Sequence, residues 1–131
     1  MKAKQLFFYQ RISTDRHSLL EEIVAKKLLP RYNNVLFDFE YKTSTGRTAG
    51  DIDVLLYNFE EEKGLINRVL AVECKSGWRK DSVRHGMEQV ERATPYLREM
   101  FPLAIINQLL VTNYGVARYR SRTRRWSKAL V

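Results

Sequence analysis

Hydrophobic positions recur along this chain with two different periods, and the switches between them mark out its elements. An aromatic run, "QLFFYQRI" at 5 to 12, reads as a strand or as a segment packed against the body. In "STDRHSLLEEIVAKKLLP" the period is helical: Leu20, Ile23, Val24 and Leu28 share a face, and Pro30 stands just past the end. Ser18 and Glu21 also have the spacing of a capping box. The period then drops to two. Val35, Phe37, Phe39 and Tyr41 alternate with Leu36, Asp38 and Glu40, which predicts a half-buried strand. After the turn-forming "KTSTGRTAG" the pattern continues in "DIDVLLY", with Ile52, Val54 and Leu56 expected on one face and Asp51, Asp53 and Leu55 on the other. "NFEEEKG" is a polar reversal, and "RVLAVECK" returns with Ala71, Glu73 and Lys75 on one face and Leu70, Val72 and Cys74 on the other.

"DSVRHGMEQVERATPYLREMF" reads as a second helix, opened by Asp81 and kinked or broken near Pro95. "LAIINQLLVT" is almost continuously apolar, as suits a strand in the interior of a sheet. A turn at Asn113 to Gly115 leads into the closing "VARYRSRTRRWSKALV". Neither a repeat nor a linker interrupts the 131 residues, so a single domain over 1–131 is expected. The order helix, three strands, helix, strand predicts an α/β fold with a mixed sheet flanked by helices.

Composition narrows the class. A chain of this length buries roughly two-thirds of the surface that its unfolded form exposes, so it needs no disulfide or structural zinc. Cys74 is the sole cysteine, which fits a reducing compartment. The polar "MKAKQ" start does not read as a signal peptide, and no apolar run approaches the length of a bilayer span. A soluble intracellular protein without membrane contact is expected. The excess of 23 Lys and Arg over 15 Asp and Glu, a net charge of +8, favours a polyanionic partner.

Against that basic background, acids stand at the ends of two apolar strands. If the strands are neighbours, Asp53, Glu73 and Lys75 converge at one sheet edge. Two carboxylates held close together repel unless a divalent cation lies between them, and Mg²⁺ or Mn²⁺ suits hard oxygen ligands. A structural salt bridge at the sheet edge is the alternative. His17 and His85 have no Cys or His partner at zinc-ligand spacing. Cys74 faces away from Glu73 and Lys75 and reads as a core residue.

The stretch "GDIDVLL … AVECKSG", preceded by "LLEEIVAKKLL" and followed by an "EQVE" helix, resembles the PD-(D/E)xK nuclease superfamily. It is similar to the nuclease domains of CRISPR ancillary effectors and to archaeal Holliday junction resolvases, over about residues 18 to 112. The resemblance implies a restriction-endonuclease-like αβββαβ core and a metal-dependent endonuclease acting on nucleic acid, DNA before RNA. It makes Asp53 and Glu73 metal ligands, with the Cys74 carbonyl as a third, and Lys75 the catalytic lysine. Glu21 is the helix carboxylate, with Glu22 as its rival and the capping role as a second alternative. Gln89 is the auxiliary residue of the next helix. Ile52 stands where the family's usual proline precedes the first Asp, so Asp51 and Asp53 both remain candidates.

Arg118, Arg120, Arg122 and Arg124 alternate, and a strand through them would present four guanidinium groups on one face, interleaved with Tyr119 and Trp126. A solvated edge strand is the alternative. Arg47, Arg79, Lys80 and Arg84 are expected to flank the acidic site and contact nucleic acid. One site per chain implies a homodimer if two strands or a junction are to be cut.

Overall fold

The computed structural model describes residues 16–76 and 80–129. The aromatic run at 5 to 12 and Arg79 lie outside the described residues. The elements run α1 (Arg16–Leu28), a 3₁₀ turn (Leu29–Arg31), β1 (Asn34–Lys42), β2 (Thr48–Glu60), β3 (Leu65–Lys75), α2 (Lys80–Met100), β4 (Ile105–Thr112), β5 (Gly115–Arg120) and β6 (Arg125–Ala129). The strands form one six-stranded sheet in sequential order. Every pairing is antiparallel except β3 with β4, which are parallel and joined by the α2 crossover. The α/β class and mixed sheet hold, and two strands follow the expected set.

The helices take opposite faces. Val24, Ala25, Leu28 and Leu29 of α1 and its adjoining turn pack on Val54, Leu56, Leu70, Val72 and Cys74. Ala93 and Leu97 of α2 pack on Ile52, Leu55, Val69 and Ala71. Val90 meets Leu110 and Tyr119 further along, beside Val83, Met87 and Trp126. Gln108, buried in β4, pins α2 to the sheet: its Nε2 donates to the Val90 carbonyl at 2.7 Å and its Oε1 accepts from Thr94 Oγ1 at 2.9 Å. Both contacts fall in the turn before Pro95, and α2 runs through the proline without the expected break. Ile23 also departs from expectation. It is 62% exposed, and Ala25 takes the buried position in its stead.

The alternation expected along β1 and β2 does not persist. Val35 and Phe37 pack on the α1 side, whereas Phe39 and Tyr41 pack on the α2 side. β2 changes sides in step, since Val54 and Leu56 face α1 while Ile52 joins Leu55 beneath α2. The change falls between the pairs Phe37 with Val54 and Phe39 with Ile52, which leaves Asp38 opposite Asp53. Asp38 adopts φ +52°, a left-handed conformation that Asp tolerates better than most residues. This local break resets the face of every residue beyond it.

The basic tail folds as a hairpin rather than one strand. Arg120 pairs with Arg125 around a turn at 121–124, so Arg122 and Arg124 lie in that turn and only Arg118 and Arg120 belong to a strand. Tyr119 is buried and Trp126 rests on it with ring centroids 5.0 Å apart, which makes both part of the packing. Among the described residues no helix is long and apolar enough to cross a membrane.

Candidate metal centre

β2 and β3 are paired from the Glu60–Leu65 end as far as Val54 with Val72. Beyond that point β2 continues beside β1 and the end of β3 continues beside β4, with Glu73 paired to Leu110 and Lys75 to Thr112. The sheet therefore forks. Asp53 sits in the fork, where its Oδ2 accepts the Cys74 backbone N–H at 2.8 Å in place of a ladder partner. Asp53 and Glu73 are 6% and 5% exposed, so both carboxyl groups are withdrawn from water.

Glu21 completes the cluster from above. It is 1% exposed on α1, and one carboxylate oxygen from each of Glu21, Asp38 and Asp53 lies within 4.8 Å of the others. The backbone of α1 is already helical at Arg16, two residues before Ser18. Glu22 is half-buried and stands outside that group. Asp51 is exposed, although partial desolvation of its carboxyl, with the charges of Asp53, Asp38 and Glu40, raises it above the usual range. The fork thus gathers Glu21 and Asp53 and leaves Glu22 and Asp51 at its margin.

Glu73 lies on the other side of Asp53 and shares a hydrogen bond with it. Burial first, then the Asp53 charge and that bond, push its carboxyl from an ordinary 4.5 up to about 9. Lys75 Nζ stands 4.0 Å from Glu73 Oε2 and opposes the shift without overcoming it. Without a metal, burial and the neighbouring carboxylate therefore favour a shared proton on the Asp53–Glu73 pair. Burial and the neighbouring carboxylates also drive the Cys74 thiol up, and the side chain is fully buried on the α1 side, as a core residue should be.

The Glu73 shift sets a direction for stability. Below pH 4.5 both folded and unfolded chains keep this proton; between 4.5 and about 9 the unfolded chain releases it while the folded chain resists. Stability of the metal-free protein should fall through that window and level off above it. Denaturant titrations in EDTA across the range should show this slope, and Glu73→Gln should flatten it. An unchanged slope in that variant would assign the dependence to other groups.

α2 supplies the remaining polar group. Gln89 lines a cavity of about 10 Å³ together with Glu73, and its buried Oε1 has no hydrogen-bond partner among the described residues. Such a space approaches the volume that one water requires. Gly86 brings the helix down onto the site: a Cβ there would stand 2.7 Å from Leu110 Cδ1 and 3.0 Å from Lys75 Cγ.

The donor set suits a hard divalent cation. Two oxygens on one ion lie at most about 4.2 Å apart for Mg²⁺ and about 5 Å for Ca²⁺. The Glu21, Asp38 and Asp53 oxygens, all within 4.8 Å of one another, are close enough for one such ion to gather. Asp38 was not distinguishable from the other polar residues of its strand by alternation alone. Its position opposite Asp53 in a hairpin register is the signal that would have singled it out.

The basic residues divide between the two ends of the sheet. Exposed Arg47 occupies the β1–β2 turn, and exposed Lys80 and Arg84 open α2, all at the end where Lys75 lies. β5 runs antiparallel to β4 and carries Arg118 and Arg120 away from it, towards the turn with Arg122 and Arg124. Five residues of β4 separate the Lys75 level from the Arg120 level, about 17 Å. There Arg98, Arg118, Arg120 and Arg122 line a separate groove of about 610 Å³. The basic residues thus form two patches, one at each end of the sheet.

Fold and site together define an α/β protein with a mixed six-stranded sheet and a carboxylate cluster at a strand fork in which Glu21 and Asp53 are buried and Asp38 is exposed. No protein-family model, curated protein or solved structure matches the chain.

Proposed function

We propose that the chain is a metal-dependent nuclease with a restriction-endonuclease-like core, hydrolysing phosphodiester bonds in nucleic acid, with DNA the preferred substrate. The observation that carries this reading is the meeting of buried Asp53 and Glu73 with Lys75 at the fork, beneath Glu21. Asp53 and Glu21, with Asp38 and the Cys74 carbonyl as further oxygen donors, would hold Mg²⁺ or Mn²⁺. Glu73 would join them once it gives up its proton. When bound, the metal supplies a lowered pKa for an attacking water and charge stabilisation for the phosphate.

The chain's own groups do the rest. Lys75 orients the water and offsets negative charge on the phosphate. Gln89 places a polar side chain beside Glu73, and Arg47, Lys80 and Arg84 contact flanking phosphates without reading sequence. One centre per chain cuts one strand, so cleavage of both arms of a junction calls for a homodimer. Light scattering that finds a monomer on junction DNA would remove that version.

The test is cleavage of labelled supercoiled plasmid, single strands and a four-way junction in Mg²⁺, Mn²⁺ or EDTA. Cutting that needs the divalent ion and fails in Glu73→Ala supports the enzyme. A non-cleaving nucleic-acid-binding module is the rival, favoured by the arginine-lined groove, which requires no carboxylate. Binding without cutting under every condition would select it.

A further inference from the structure

On the α2 side of the sheet one row of residues leads away from the proposed site: Glu73 pairs with Leu110, Leu110 with Ala117, and Ala117 with Lys128. Strands lie about 4.8 Å apart, so the row extends roughly 14 Å. α2 covers its beginning. Beyond the helix the row becomes the floor of a groove of about 830 Å³, a size typical of ligand sites.

Floor and walls are apolar. Leu110 and Ala117 lie below, Val83 and Met87 of α2 form one side, and Trp126 forms the other. The indole is fixed, since its Nε1 donates to Glu91 Oε2 at 2.9 Å. Tyr114, 65% exposed, stands at the end nearest the proposed site. Its turn is tied to the chain just past Lys75 through Asn113 Nδ2, which donates to the Ser76 carbonyl at 2.8 Å. Lys80, Arg84 and Lys128 supply charge along the groove, and among the described residues no acid lines it.

An apolar slot with one aromatic wall, an exposed tyrosine at its end and cationic lining residues matches a strand whose bases are free to stack and whose phosphates face the rim. A closed duplex keeps its bases stacked inward and would use only the rim. We propose that this groove receives unpaired bases next to the scissile phosphate, so that the substrate has single-stranded character. This rests on the nuclease reading for its chemistry and on the groove for its choice of strand.

The experiment compares fluorescence anisotropy of a labelled single strand and the blunt duplex of the same sequence in EDTA, for wild type, Tyr114→Ala and Lys128→Gln. Both changes are at exposed positions. The single strand should bind more tightly to wild type, and Tyr114→Ala should weaken it about tenfold while changing the duplex less than twofold. Equal effects on both, or none on either, would overturn the assignment. A dimer seen by light scattering that Tyr114→Ala dissociates would overturn it in favour of self-association. Cleavage in Mg²⁺ separates the two readings. If duplex and single strand are cut at equal rates, the groove assignment fails and the nuclease stands. If nothing is cut although Tyr114-dependent binding of single strands persists, the nuclease fails and the groove stands.

Discussion

Lys75→Ala is expected to slow metal-dependent cleavage by at least about a hundredfold, the scale of losing one positioned acid–base or electrostatic group. The lysine ends β3 beside Thr112, is partly buried, and holds its ammonium 4.0 Å from Glu73. Its stem runs beneath Gly86, where a Cβ would come within 3.0 Å of Cγ, so its path is set by the close approach of α2. Removing it leaves Asp53 bonded to the Cys74 N–H, and substrate should still bind. Single-turnover cleavage with thermal unfolding alongside would check this. Lys75→Arg adds a second reading: substantial recovery would assign the residue a purely charge-stabilising role, whereas none would favour proton transfer or strict geometry. An unchanged rate in Lys75→Ala would remove the residue from the mechanism.

Leu97→Ala should cost about 2–5 kcal/mol, a large share of the roughly 5–15 kcal/mol that holds such a domain folded. Leu97 is wholly buried, and it packs with Ala93 against Leu55, Val69 and Ala71. α2 is also the crossover that makes the β3–β4 pairing parallel and therefore the element that closes the sheet over Glu73 and Lys75. Urea titrations would show the loss as a lower midpoint with little change in slope. If the cost stays under about 1 kcal/mol, the α2 layer collapses into the cavity more readily than close packing implies.

The placement of Asp53, Glu73 and Lys75 was legible because each borders an apolar run, and a charge there has few bland explanations. Glu21 was legible from Val24 and Leu28, which fixed the buried side of its helix. Asp38 was not, because alternation assumes that a strand keeps its faces, and a left-handed residue in mid-strand breaks that assumption without any glycine to announce it. The terminal hairpin was missed for a related reason. Arg124, not glycine, takes the positive φ in its turn, so four alternating arginines look like one strand. The change of face at Asp53 follows from its pairing opposite Asp38, a tertiary feature invisible to the pattern of β2 alone.

Cys74 turns the fork into its own clock. It is the only thiol in the chain, fully buried and held protonated by its surroundings, while its backbone N–H is the one that Asp53 clasps. An alkylating reagent can reach it only when the layer between α1 and the sheet opens there, so the labelling rate counts openings around the carboxylate centre without any substrate. Divalent ions that bridge Glu21 and Asp53 should slow that clock, and a chain whose thiol reacts equally fast with and without them has a fork that the metal does not clamp.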